Sequence, residues 1–285
     1  MADFSRYLIA TDLDGTFLTK SSGIPERNLR ALERYRAGGG LFTFATGRTH
    51  TNVRPLLPNV EELLNTAAVL CNGACLYDFA ERRALFETMM PEAEVTRLLE
   101  FAAVEAPDLL FYVLARRQIR FSNFTDETNR YVAFCEPGAV LISNPNAWPR
   151  GDWYKMVFRG TADRLPAVRK MLTDRFGDRF ALTSSSNHNL EIQMAGCSKA
   201  VGLAKLREYD ERARDRVLIV CGDYENDIPM LTAADIAVCP ENASPAVKEI
   251  ADYVLCSCTE GMIGDLVEKL ESGAIRKSRK EAVTV

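Results

Sequence analysis

The sequence predicts an α/β fold in which a parallel-sheet domain is interrupted by a second, α+β domain. Two observations predict the parallel sheet: short apolar segments alternate with helical ones up to about residue 80, and the same alternation returns from about residue 191. The third observation is that residues 81–190 mix helical stretches with strand-like ones of antiparallel character and hold both tryptophans. We therefore expect a discontinuous core, residues 1–80 and 191–285, with residues 81–190 as the insert.

The strands of the N-terminal part are predicted from apolar runs that end at turn-forming residues. YLIAT leads into DLDGT, LFTFA leads into TGR, and AAVLC ends at Asn72-Gly73. Between the first two runs, IPERNLRALERYRAGGG has apolar residues at helical spacing and ends in three glycines. Continuous apolar runs are typical of parallel strands that are buried on both faces.

The C-terminal part repeats the alternation. SKAVGLAKLREYD is an amphipathic helix, VLIVC is a strand that ends at GDYEND, and ENDIPMLTAA is a short helix. Two further strands, DIAVC and DYVLC, and a closing helix, IGDLVEKLE, complete the predicted core. In the insert we expect helices at PEAEVTRLLEFAAVEA and ADRLPAVRKMLTDRF, and strands at LLFYVLA, WYKMVFRG and HNLEIQM.

Composition argues against several partners. The formal net charge is −4, so we expect no nucleic-acid partner. No apolar run reaches the ~18 residues of a membrane span, and the N-terminus lacks the pattern of a secretory signal. Most of the eight cysteines lie in apolar runs, which is typical of buried thiols in a reducing compartment. We therefore expect a cytoplasmic protein, either a monomer or a small homo-oligomer.

Residue types also limit the chemistry. With two histidines, a histidine-cluster metal site is not expected. The sequence has neither a C-x5-R loop nor a G-x-x-x-x-G-K-[ST] motif, and no G-x-G-x-x-G follows a strand. Carboxylates, hydroxyls and lysines are thus the expected functional groups.

Four polar segments follow predicted strands or begin a helix: DLDGT, TGR, the Ser198-Lys199 pair and GDYEND. Because ligands of open parallel sheets bind at the carboxyl ends of the strands, we expect these segments to meet at one crevice.

Each segment has a chemical and an ordinary interpretation. Carboxylates at Asp12 and Asp14 could act as nucleophile and general acid/base, or form a solvated Asx turn. Thr46 could hold phosphate oxygens with nearby backbone amides, or cap a helix. Lys199 could neutralise a phosphate or lie on the surface. The acids of GDYEND could bind a hard cation such as Mg²⁺, or favour a helix N-terminus.

In this order, D-x-D-G-T, T-G-R, K and G-D-x-x-N-D, the segments closely resemble the haloacid dehalogenase superfamily. The resemblance is to its Cof-type hydrolases, which carry a large inserted α/β cap, and it covers nearly the whole chain. It implies a Rossmann-like parallel-sheet core, with the cap beginning after LCNGA.

The resemblance implies four catalytic residues. Asp12 corresponds to the nucleophile that forms an aspartyl-phosphate, and Asp14 to the general acid/base. Thr46 corresponds to the hydrogen-bond donor to the transferring phosphoryl group, and Lys199 to the lysine that neutralises charge on nucleophile and phosphate.

The resemblance also implies an Mg²⁺ site, in which Asp223 is a ligand together with the Asp12 side chain and the Asp14 backbone carbonyl. Asp227 corresponds to a metal ligand or to an acid that supports the metal and the lysine.

Substrate contacts are expected from Gly47, Arg48 and Asn226, beside the phosphate. One departure from the family pattern is Ala200, where a glycine often follows the lysine. Candidate substrate readers in the cap are Arg116, Arg117, Trp153, Tyr154, Lys155, His188 and Glu191.

The implied function is an Mg²⁺-dependent phosphatase of small phosphorylated metabolites, and sugar phosphates are the expected substrates. A phosphohexomutase of the same superfamily is an alternative, and Arg116 and Arg117 could supply its second phosphate site. A non-catalytic sugar-phosphate-binding protein is a third interpretation, which the complete set of catalytic residues disfavours.

Overall fold

The computed structural model describes residues 2–19, 21, 23–122, 139–141 and 145–276. Its strands are β1 (Tyr7–Thr11), β2 (Leu41–Phe44), β3 (Ala68–Leu70), β4 (Cys75–Asp78), β5 (Arg83–Glu87), β6 (Leu110–Ala115), β7 (Ile119–Phe121), β8 (Ala139–Leu141), β9 (Trp153–Arg159), β10 (Phe180–Ser186), β11 (Asn189–Met194), β12 (Val217–Cys221), β13 (Ile236–Pro240) and β14 (Tyr253–Leu255). Its helices are α1 (Glu26–Ala37), α2 (His50–Leu56), α3 (Val60–Leu63), α4 (Glu92–Glu105), α5 (Arg164–Phe176), α6 (Lys199–Tyr209), α7 (Ile228–Thr232), α8 (Pro245–Ile250) and α9 (Met262–Glu271).

A five-stranded parallel sheet has the order β14-β13-β12-β1-β2. Its strands are apolar on both faces, because neighbouring residues such as Leu8 and Ile9 belong to different hydrophobic clusters, one on each side of the sheet. Strand β2 lies on one side of β1, and β12, which comes much later in the chain, lies on the other side. The crevice at the carboxyl ends of β1 and β12 is therefore the topological switch point, where ligands of such sheets bind.

A three-stranded antiparallel unit, β3-β4-β5, continues from this sheet. A parallel bridge between Ala45 and Val69 connects it to the end of β2. Within this unit, β4 pairs with β3 on one side and with β5 on the other.

A six-stranded sheet of order β10-β11-β9-β6-β7-β8 is antiparallel except for the β7–β8 pair. Side chains of α4 and α5 bury one of its faces, in a cluster that includes Trp148 and Trp153, whose ring centroids are 5.7 Å apart. The two sheets confirm the predicted α/β fold with an antiparallel α+β part. The division at residues 80 and 191 stays a prediction.

No helix within the described ranges is long and apolar enough to cross a membrane. The cytoplasmic location and the oligomeric state remain predictions.

The turn between β3 and β4 lies in contact with the start of α6. Gly73 has φ +92°, and a Cβ placed on it would lie 1.9 Å from the backbone oxygen of Ser198, which caps α6. Glycine is required here for two reasons: the left-handed backbone and the close approach of another backbone segment.

We expect Gly73→Ala to lower the free energy of unfolding by about 2–4 kcal/mol, because it adds backbone strain and forces Ser198 away. Gly151→Ala is the matched control, since nothing lies within 4 Å of its Cβ position and its φ is ordinary; we expect it within about 0.5 kcal/mol of wild type. Urea unfolding measures both, and equal stabilities would contradict this account of the contact.

Candidate active site

The polar segments predicted from the sequence meet at the switch point. Asp12 follows β1, Thr46 lies just beyond β2, Asp223 follows β12, and Lys199 begins α6. A cavity of about 270 Å³ opens there. The predicted site residues that line it are Asp12, Asp14, Thr46, Gly47, Arg48, Asp223 and Asn226.

Beneath the cavity, Lys199 joins two carboxylates. Its Nζ donates to Asp12 Oδ1 and to Asp227 Oδ1, each at 2.6 Å. The lysine and Asp227 side chains are fully buried. Burial acts to lower the pKa of Lys199, but the carboxylates of Asp12 and Asp227 raise it above its usual range. The ammonium group therefore stays charged and fixes the position of Asp12.

The side chain of Asp223, in the loop after β12, is held by the segment that follows β1. Its Oδ1 accepts a hydrogen bond from Thr16 Oγ1 at 2.8 Å, and its backbone N–H donates to Asp227 Oδ2 at 2.8 Å. Gly15, at φ +79°, permits this approach, because a Cβ there would lie 2.6 Å from Asp223 Oδ2. The D-x-D-G-T segment thus provides the carboxylate of Asp12 and also binds Asp223.

Asp12, Asp223 and Asp227 form a cluster of carboxylates with one ligand oxygen each within 4.8 Å of the others. Burial, reinforced by Asp227, raises the pKa of Asp223 to about 7. Burial also raises the pKa of Asp12 well above its usual range, although Lys199 opposes this shift. Crowded, desolvated carboxylates of this kind are stabilised by a cation, and oxygen ligands suit Mg²⁺. The donor set therefore fits a hard divalent ion.

Asp14 is not part of this cluster and pairs with Arg48. The guanidinium Nε lies 2.8 Å from Asp14 Oδ2, and Nη2 lies 2.9 Å from Oδ1. Burial acts to raise the pKa of Asp14, but the hydrogen bonds and charge of Arg48 outweigh it and lower the pKa. In this arrangement Asp14 is an ionised carboxylate at the mouth of the site.

Asn72 is a site residue that the sequence did not single out. Its backbone N–H donates to the carbonyl of Thr46, and its side chain donates to Glu191 and accepts from Asn226 at 3.4 Å. It has φ 51°, a conformation that asparagine tolerates better than most residues. The only sequence signal was the Asn-Gly pair at the end of β3, which also reads as an ordinary turn.

Of the candidate substrate readers, the cavity is lined by Lys155 and Glu191. Trp153 and Tyr154 are buried in hydrophobic clusters. The structure gives Arg116 a different partner, Glu87, at 2.8 Å.

His188 is also directed elsewhere, since its Nδ1 lies 3.2 Å from the Gly160 carbonyl oxygen. Neither His188 nor Arg117 lines the described cavity.

A model of haloacid dehalogenase-like hydrolases matches residues 9–266 of the chain. The pyridoxal phosphate phosphatase YbhA of Escherichia coli is 29% identical over 273 residues, which cover 91% of this chain and 97% of that protein. The 5-amino-6-(5-phospho-D-ribitylamino)uracil phosphatase YitU of Bacillus subtilis is 28% identical, covering 86% and 90% of the two chains.

Solved structures share the fold. The crystal structure of SMU.1108c from Streptococcus mutans superposes with a TM-score of 0.83 at 21% identity and covers 93% of this chain and 98% of that one. The subclass IIB sugar phosphatase BT4131 gives a TM-score of 0.80 at 20% identity and covers 94% and 99%.

The raised pKa of Asp223 predicts a specific dependence of stability on pH. Because the folded-state value of about 7 exceeds the unfolded value of ~3.9, the folded protein binds this proton more tightly. The resulting stability is present below pH ~4 and is lost as the pH rises towards 7. In chelator-treated protein, we expect the Tm of wild type to fall relative to that of Asp223→Asn over this range, by several degrees.

Adding Mg²⁺ at pH 8 should restore the Tm of wild type and leave that of Asp223→Asn nearly unchanged. A difference between the two proteins that stays constant with pH would contradict the assigned shift.

Proposed function

Because the chain belongs to the haloacid dehalogenase-like hydrolase family, we propose that it is an Mg²⁺-dependent phosphatase of small phosphorylated metabolites. The observation that carries the proposal is the buried arrangement in which Lys199 orients Asp12 at the base of a cavity. The ammonium group binds Oδ1 of Asp12. We propose that this oxygen would also face the metal, which leaves Oδ2 to attack phosphorus.

The reaction is a double displacement. In the first step a bond forms between the free Asp12 oxygen and phosphorus, the ester bond breaks, and the leaving oxygen takes a proton from Asp14. In the second step a water molecule gives a proton to Asp14 and attacks the phosphorus, which breaks the bond to Asp12 and releases phosphate. Splitting hydrolysis in this way replaces one difficult step by two easier ones.

The oxygens of the phosphoryl group need positive partners and donors as charge shifts towards the leaving group. We propose that the Thr46 hydroxyl, the Gly47 amide and the Asn226 side chain hold these oxygens, since all three residues line the cavity. Asp12 and Asp223, with the Asp14 backbone carbonyl, would hold Mg²⁺, and Asp227 would either complete this set or support it through Lys199 and the Asp223 backbone. When bound, this ion offsets the repulsion between the carboxylate nucleophile and the phosphate.

The Asp14–Arg48 pair matters for the first step, because Asp14 must carry a proton when the leaving group departs. While Arg48 is bound to Asp14, the pKa of that carboxyl stays low. A phosphate oxyanion competes for the same guanidinium, and Arg48 prefers such bidentate partners. We infer that substrate binding draws Arg48 from Asp14 and so permits Asp14 to be protonated.

The cavity is small, and most of the residues that line it are polar or charged, which supports a compact polar substrate. The named relatives are phosphatases of pyridoxal phosphate and of a phosphorylated ribitylaminouracil. We propose small phosphomonoesters as the substrate class, with sugar phosphates as its first members to test.

A phosphohexomutase would need a second phosphate site, for which Arg116 and Arg117 were the candidates. The pairing of Arg116 with Glu87 weakens that alternative. A non-catalytic binding protein would not need Asp12, Lys199 and Asp223 together.

We expect Asp12→Asn to lower phosphate release at least about a thousandfold, because the amide cannot serve as nucleophile. The measurement is release of inorganic phosphate from a panel of sugar phosphates, pyridoxal phosphate and nucleotide monophosphates, with Mg²⁺ and with chelator. Wild-type activity should require the metal, and the ranking of kcat/KM across the panel identifies the substrate class.

Asp174→Asn is the matched control, since this exposed aspartate pairs with Lys170 on α5, outside the cavity; it should retain wild-type activity. Full activity in Asp12→Asn would overturn the mechanism. Conversion of hexose 1-phosphates to 6-phosphates without free phosphate would instead favour the mutase.

A further inference from the structure

One lysine of the six-stranded sheet extends to the phosphate-binding loop of the five-stranded part. Lys155 lies in β9 and lines the same cavity as Thr46 and Gly47. A Cβ placed on Gly47 would lie 2.9 Å from Lys155 Nζ, so the ammonium group is packed against the backbone of the T-G-R segment. Gly47 is therefore the residue that makes room for this lysine.

The ammonium group is buried but only partly satisfied. The side chain of Lys155 is 3% exposed, and its Nζ donates to Glu191 Oε2 at 2.7 Å. Among the described residues this is its one hydrogen-bond acceptor, whereas an ammonium group has three N–H donors. The remaining donors have no described acceptor, and the cavity beside them is where the proposed function places phosphate.

Glu191 is itself fixed by other groups. It accepts hydrogen bonds from Lys155 and from Asn72, and Asn72 belongs to the segment that also binds the Thr46 carbonyl. The Lys155 ammonium is thus held in place by Glu191, which is fixed in turn by Asn72 of the β3–β4 turn. A binding group that is already oriented loses little conformational freedom when its ligand arrives.

Arg159 of β9 also lines the cavity, and it donates to Asn189 of the neighbouring strand. Two further described cations of the site have carboxylate partners outside the six-stranded sheet. Lys199 is divided between Asp12 and Asp227, and Arg48 pairs with Asp14. Lys155 differs from Lys199 and Arg48 because its carboxylate partner belongs to the six-stranded sheet.

We propose that Lys155 binds a non-bridging oxygen of the substrate phosphoryl group, so that the six-stranded sheet supplies part of the phosphate site itself. This inference rests on the proposed phosphatase function. The six-stranded sheet would then contact the phosphoryl group, which all substrates share, as well as any part of the leaving group that it recognises. The phosphate site is then complete only while the two sheets face one another across the cavity.

The test is the affinity for inorganic phosphate, the product, in the presence of Mg²⁺. For Lys155→Met we expect the Kd of phosphate by calorimetry and the KM of the best substrate to rise about 10–100-fold, as befits the loss of a charge-assisted hydrogen bond. Lys155→Gln, which can still donate to Glu191, should show a similar loss and serves if the Met variant does not fold.

Arg120→Met is the matched control, because Arg120 is another buried cation of the six-stranded sheet, paired with Asp152 at 2.7 Å and outside the cavity lining. If Lys155 had a purely structural role, Lys155→Met and Arg120→Met would both lower the stability of the protein, and neither would change its affinity for phosphate. The control should bind phosphate within about twofold of wild type, as expected for a residue that does not contact it.

Unchanged phosphate affinity in a folded Lys155 variant would overturn the inference. If Asp12→Asn is inactive and the Lys155 variants bind phosphate as tightly as wild type, the inference about Lys155 fails and the proposed function stands. If Asp12→Asn keeps full activity, the proposed function fails first.

Discussion

The contact of Lys199 with Asp12 and Asp227 is the interaction on which the rest of the site depends. A buried ammonium group without partners costs several kcal/mol, and so does each buried carboxylate. The three groups offset one another only because β1, β12 and the start of α6 are adjacent, although they are far apart in sequence. The register of the central sheet is thus a condition for the chemistry.

Charge is distributed unequally around the cavity. Three carboxylates gather at its base with one lysine, while its walls hold two ion pairs, Arg48 with Asp14 and Lys155 with Glu191. A phosphate dianion and a divalent cation are complementary to such a site, because the cation suits the base and the phosphate oxygens suit the walls. Burial is the main cause of the raised pKa values of Asp12 and Asp223, and the neighbouring carboxylate of Asp227 adds to it.

The sequence predicted the parts of the fold that depend on contiguous residues. Each core strand is a continuous apolar run, and each motif follows its strand directly, so the α/β class and the family resemblance were confirmed. Asn72 was missed because its role arises from contacts with Glu191, distant in sequence. Trp153 and Lys155 share a face by simple alternation, but the strand pairing shifts between Leu114 and Ala115 and the two side chains enter different surroundings.

The contact between Gly73 and Ser198 has a consequence for the chain that lies between these two residues. The contact holds the two ends of the intervening chain together. This chain can therefore be treated as a loop whose ends are already joined. The entropy of closing a loop depends only logarithmically on its length, about 0.6 kcal/mol for each doubling. Changes in the length of the chain between these two residues should therefore cost the five-stranded sheet little stability, as long as Lys155 and Glu191 still line the cavity.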